Sequence, residues 1–93
     1  MFKKVLSQMQ EKIRHRNYVM TSHARKEMNE DELTIYDVEQ GILSGEILER
    51  QKDRETGEWK YRVNGENMSG EQIEVMTKLS ITGKLVIITV YLA

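Results

Sequence analysis

Leu85-Val86-Ile87-Ile88-Thr89-Val90-Tyr91-Leu92 is the stretch that decides the fold. It is apolar and β-branched without polar alternation, which predicts a central strand covered on both faces. Thr82-Gly83 turns back into Ile73 to Ser80, a second strand, and the two-glycine segment Asn64 to Gly70 reads as a loop. Before it, Trp59 to Val63 and Glu46 to Lys52 form a hairpin around Asp53-Arg54-Glu55-Thr56-Gly57-Glu58. In the second arm Trp59, Tyr61 and Val63 share one side, expected to be core, and Lys60 and Arg62 the other.

The N-terminal half carries helical periods. Phe2, Val5, Leu6, Met9 and Ile13 recur at amphipathic spacing, which predicts a helix over 2–15. Tyr18 to Thr21 is a short β-prone run that ends in Thr21-Ser22, residue types that favour helix N-caps, so a helix is expected over 22–31 with Ala24 and Met28 inward. Thr34 and Asp37 make a T-x-x-D box in front of Ile35, Val38 and Ile42, and Gly45 closes that helix, read as 34–44. Helices early and strands late mean α+β, with about three helices on one face of a mostly antiparallel sheet of about five strands (18–21, 46–52, 59–63, 73–80 and 85–92).

The chain has 93 residues, read as a single domain over 1–93. A chain of this length buries only roughly 60 to 65% of its unfolded surface, so every apolar stripe is needed. Absence of cysteine removes disulfides, thiolate zinc sites and thiol chemistry. There is no continuous apolar run of signal-peptide or membrane-spanning length, so a cytoplasmic protein without membrane contact is expected. The net charge of -1 conceals segregation: residues 1–26 sum to +6, 27–49 to -8 and 50–62 to +2. Near-neutrality argues against strong sequence-blind nucleic-acid binding, but leaves a local basic face open. The basic first helix and the acidic segment are expected on different surfaces.

Ser22-His23-Ala24 opening a helix, Met28, Ile35-Tyr36-Asp37-Val38, Gly45, and the terminal Ile87-Ile88-Thr89-Val90-Tyr91 resemble a small bacterial family of domains of unknown function with a His-Ala motif. The likeness spans residues 18–92. That family is similar to BrnT-type and RelE-type toxins, compact ribonucleases of toxin–antitoxin pairs, and to the motility regulator toxin that pairs with a zinc-finger antitoxin. The resemblance implies a RelE-like fold, metal-independent endoribonuclease activity on RNA, and a cognate antitoxin as partner. Where that family has arginines, this chain has Glu27 and Asp31-Glu32, so arginine contacts to phosphate at those positions are not carried over.

Cleavage of RNA without a metal needs a base for the ribose 2′-hydroxyl, an acid for the leaving oxygen, and cations for the charge on phosphate. His23, Lys60, Arg62 and Tyr91 are the candidate catalytic residues, and Arg25, Lys26, Arg50, Lys52 and Lys78 the candidate RNA-binding ones. His23 stands in a first helical turn beside free backbone N–H groups. The competing reading has it bonding nearby backbone at a strand-to-helix junction. Lys60 and Arg62, with Arg50 and Lys52 sharing parity on the neighbouring strand, suggest a ladder along a phosphate backbone; solvated, aggregation-blocking charge is the plainer alternative. Trp59, Tyr61 and Tyr91 could stack bases. Glu30-Asp31-Glu32 lacks calcium-loop spacing, and His15 and His23 lack partner ligands, so neither metal nor cofactor is expected. A non-catalytic interaction module, docking a basic partner on the acidic segment, is the alternative to the enzyme.

Overall fold

The computed structural model describes residues 1–93. Its elements run α1 (Lys3–Arg14), β1 (Tyr18–Met20), α2 (Ser22–Glu30), α3 (Ile35–Leu43), β2 (Glu46–Lys52), β3 (Trp59–Glu66), β4 (Gln72–Leu79) and β5 (Leu85–Leu92). The fold is α+β: three helices and one five-stranded mixed sheet of order β1-β5-β4-β3-β2. β2 to β5 form an antiparallel meander, and β1 joins β5 in parallel, Tyr18 opposite Leu85 and Met20 opposite Ile87.

Local sequence sets the helix starts. The Thr21 side chain accepts the Ala24 N–H, and Thr34 and Asp37 form the reciprocal capping box that the T-x-x-D spacing predicts. Asp37 does a second job, accepting the Met68 N–H through its other oxygen, so the α3 cap also anchors the β3–β4 loop. Gln10 of α1 donates to the carbonyls of Ile42 and Leu43 at 3.2 Å, satisfying the open end of α3. α1 and α3 therefore pack side by side. The basic α1 thus neighbours part of the acidic segment, but no ion pair joins their side chains.

Met9, Ile13, Val38 and Ile42 from the helices meet Val63, Ile73, Val75, Leu85, Ile87 and Val90 in one core. Thr77 sits there fully buried, its hydroxyl satisfied by Met9 Sδ at 3.1 Å and the Tyr61 carbonyl at 3.4 Å.

Three expectations are corrected. β5 is an interior strand, but β4 occupies the middle of the sheet, and the face opposite the helices is open, so Val86, Ile88 and Thr89 are only half-buried. The uninterrupted apolar run instead reflects a register shift: Met76 pairs with Thr89 but Thr77 with Ile87, which leaves Ile88 as an extra residue. Second, β3 continues to Glu66 where two glycines suggested a loop. A Cβ at Gly65 would lie 1.9 Å from the Gly41 carbonyl oxygen, so glycine here admits the close approach of α3 to β3. Third, Trp59 is 42% exposed, not core.

Candidate functional site

The open face of the sheet carries a polar strip across four strands. Antiparallel register aligns Glu49 of β2 with Arg62 of β3, and Asn64 of β3 with Glu74 of β4 and Tyr91 of β5. Arg62 donates through Nε to Glu49 Oε1 and through Nη1 to Glu74 Oε2, both at 3.0 Å. Asn64 Nδ2 adds a second donor to Glu74 at 3.3 Å, and the Tyr91 hydroxyl, the third, donates to the other Glu74 oxygen. Glu74 is 13% exposed, so these donors replace most of its water. They hold its carboxyl below the usual carboxylate range, the Tyr91 hydrogen bond first, then Asn64 and Arg62, against desolvation. Tyr91 is shifted the opposite way: donation to Glu74, then burial, keeps its phenol protonated above the ordinary tyrosine range.

A second construction lies at the β5 edge. β1 covers only the first three residues of β5, after which α2 takes over the exposed backbone. Thr21 donates its N–H to the Ile87 carbonyl at 3.0 Å and its hydroxyl to the Ile88 carbonyl at 3.1 Å. Glu27 Oε1 then accepts the Val90 N–H at 3.2 Å, and Asp31 Oδ2 the Leu92 N–H at 3.0 Å. The spacing has a geometric cause. Four helical residues rise ~6 Å and two strand residues advance ~6.8 Å, so carboxylates at i and i+4 meet successive outward N–H groups of a strand running alongside. His23 occupies the preceding position of that row, its Nε2 at 3.2 Å from Glu27 Oε1 and its side chain 66% exposed. Its contact is this carboxylate, not the junction backbone.

Contacts run from His23 through Glu27 to the Val90 backbone, then from the adjacent Tyr91 through Glu74 to Arg62 and Glu49. Three of the four candidate catalytic residues thus belong to one connected set. Lys60, opposite Gln51, lies on the same open face as Arg62 without an ion pair, while Lys78 is tied to Glu58 at 3.1 Å. Arg25 and Lys26 are exposed on α2 without carboxylate partners. Arg50 and Lys52 do not join the strip. Arg50 is opposite Tyr61 and Lys52 opposite Trp59, which places both on the helix side of the sheet. The register shift between Ile47 and Glu49 brings this about, and the ladder expected from parity is split between two faces.

Sequence reasoning missed Glu27, Asp31, Glu49, Asn64 and Glu74. For Glu27 and Asp31 the i, i+4 spacing was a usable signal; Glu49 and Glu74 emerge only from cross-strand register. No group of three His, Asp or Glu side chains has metal-site spacing, and no helix is long and apolar enough to cross a membrane.

The model of a domain of unknown function, DUF4258, matches residues 20–92, most of the chain. The chain belongs to the DUF4258 family. No curated protein and no solved structure matches it. The matched region contains the whole polar strip and the α2–β5 edge, so both belong to the DUF4258 portion of the chain. α1 lies outside it, yet supplies Met9 and Ile13 to the core.

Proposed function

We propose that this DUF4258 chain is a RelE-like or BrnT-like toxin domain that cleaves RNA without a metal, in the cytoplasm, and is held by a cognate antitoxin. One observation carries the reading: Tyr91 and Arg62 share the Glu74 carboxylate on the open sheet face, and His23 holds Glu27, which accepts the N–H of Val90, the residue next to Tyr91. In this scheme His23 takes the proton of a ribose 2′-hydroxyl, the oxygen attacks phosphorus, and the bond to the 5′-oxygen breaks. Tyr91 delivers a proton to that leaving oxygen, and the products are a 2′,3′-cyclic phosphate and a free 5′-hydroxyl. Glu27, 3.2 Å from Nε2, orients the imidazole. Arg62, with Lys60 beside it, receives the charge on phosphate once RNA displaces Glu49, the more exposed of its two carboxylates.

A non-catalytic interaction module is the second reading. It is favoured by the two carboxylates that already neutralise Arg62. Purified protein, incubated with RNA in the absence of divalent metal, separates the two. His23→Ala should lower cleavage on the order of 10²- to 10⁴-fold while the melting transition is kept. Expression should arrest growth, with relief by the product of the adjacent gene. Folded wild-type protein that leaves RNA intact would sink the enzymatic reading in favour of the module.

A further inference from the structure

We infer that the helix side of the β2–β3 hairpin is a stacking subsite for single-stranded nucleic acid, in which Trp59 takes one unpaired base and Arg50 and Lys52 take the flanking phosphates. Trp59 is the chain's only tryptophan, and it is left 42% exposed. The Arg50 guanidinium carbon lies 3.9 Å from the ring centroid and Lys52 Nζ 5.7 Å from it. Neither cation has a carboxylate partner, whereas Arg62 and Lys78 on the open face are both ion-paired. Two exposed cations without an acid are thus held at an indole by cation–π contact.

The indole also lines an open cleft of about 300 Å³ with Tyr61, Leu79, Ser80, Ile81, which is fully exposed in the β4–β5 turn, and Glu58, whose carboxylate is neutralised by Lys78 at 3.1 Å. That volume is at the low end for ligand pockets and suits one flat ring, not a partner helix or strand. An acidic peptide would answer the two cations but brings no ring. A nucleotide brings ring and anion in one unit, and base stacking on an aromatic tolerates any sequence. The site lies across the sheet from the polar strip, so a strand reaching both passes over β2, which has no outer neighbour. The inference rests on the RNA reading above for its ligand, but not on catalysis.

Because Trp59 is unique, its emission reports this site alone. The test uses full-length protein carrying His23→Ala, titrated with a short oligoadenylate, with binding followed independently by anisotropy of a labelled copy. Saturable quenching of Trp59, weakening as salt rises, is expected. Trp59→Leu should loosen binding roughly 5- to 150-fold and Trp59→Phe much less, as a stacked base requires. The double variant Arg50→Ala/Lys52→Ala should flatten the salt dependence. Anisotropy showing binding while Trp59 emission stays constant and Trp59→Leu binds normally would overturn the subsite and leave the RNA reading standing. Absence of any binding would overturn it too, as would quenching by polyglutamate but not by oligoadenylate, which would assign the cleft to an acidic protein.

Discussion

Replacing Glu27 by alanine isolates the contact by which α2 stands in for a missing strand. The carboxylate accepts the Val90 N–H at 3.2 Å and is 24% exposed. A hydrogen bond to a charged group contributes about 1.5–3 kcal/mol, and water reaching the vacated site moves the cost toward the lower end. Glu27→Ala should therefore destabilise by about 1.5 kcal/mol in urea unfolding, with little change in the denaturant slope. Glu27→Gln keeps a carbonyl acceptor and should cost about half as much. The His23 contact adds little to this figure, since the imidazole is largely solvated. Hydrogen exchange locates the effect: the Ile73 amide in β4 should exchange about tenfold faster, the factor that the global loss alone gives, while the Val90 amide, stripped of its acceptor, should accelerate well beyond that factor. Glu27→Arg should be at least as destabilising as alanine, because a guanidinium cannot accept. Unchanged Val90 exchange in Glu27→Ala would refute the idea that α2 completes the sheet edge.

Gly65→Ala should cost about 3 kcal/mol in urea unfolding, at the upper end for overpacking, because the new methyl meets the Gly41 carbonyl oxygen rather than a movable side chain; a wild-type midpoint would contradict the α3–β3 approach. Ile87→Asp, at a fully buried site, should abolish cooperative melting, whereas Ile88→Asp at the half-buried extra residue should leave a folded protein. Glu74 and Asp37 are both held below their ordinary values of 4.5 and 3.8, Glu74 chiefly by the Tyr91 hydroxyl and Asp37 chiefly by the backbone N–H groups of Thr34 and Met68. The unfolded chain then binds more protons than the folded one, so their stabilisation is complete above pH about 4.5 and is lost as pH falls through the lowered folded values. The melting temperature should drop from pH 6 to pH 3, and Glu74→Gln should flatten part of that slope.

Elements defined by local chemistry were readable from residues alone. Thr34 and Asp37 announce their helix because a capping box is made within four residues, and Met9 and Ile13 announce the buried stripe of α1 by period. The failures share a non-local cause. Gly65 looked like a loop residue because the Gly41 carbonyl that requires it is far away in sequence. Arg50 was placed beside Arg62 because a one-residue shift near Leu48 is invisible until β2 is paired with β3. Trp59 was given to the core by its phase with Tyr61 and Val63; those two are buried, but phase does not say where the helical cover stops.

The same distinction bears on function. Glu27 and Asp31, at positions where the resemblance implies arginines, read as lost phosphate contacts when taken one at a time. In the fold they are acceptors for Val90 and Leu92, so an arginine at either position would leave a strand N–H without its partner. The acids therefore answer first to the sheet edge, and their presence says little against RNA chemistry elsewhere. Arg62 is the more demanding witness, since Glu49 and Glu74 already occupy its donors. A phosphate must outcompete Glu49 for the Arg62 Nε, and the exchange is physically accessible because that pair is substantially solvated and correspondingly weak. Glu49→Gln thus separates the two proposed functions. If the face engages phosphate, releasing Arg62 should raise RNA affinity or cleavage; if the strip only braces the sheet, the same change should lower stability slightly and leave RNA binding where it was.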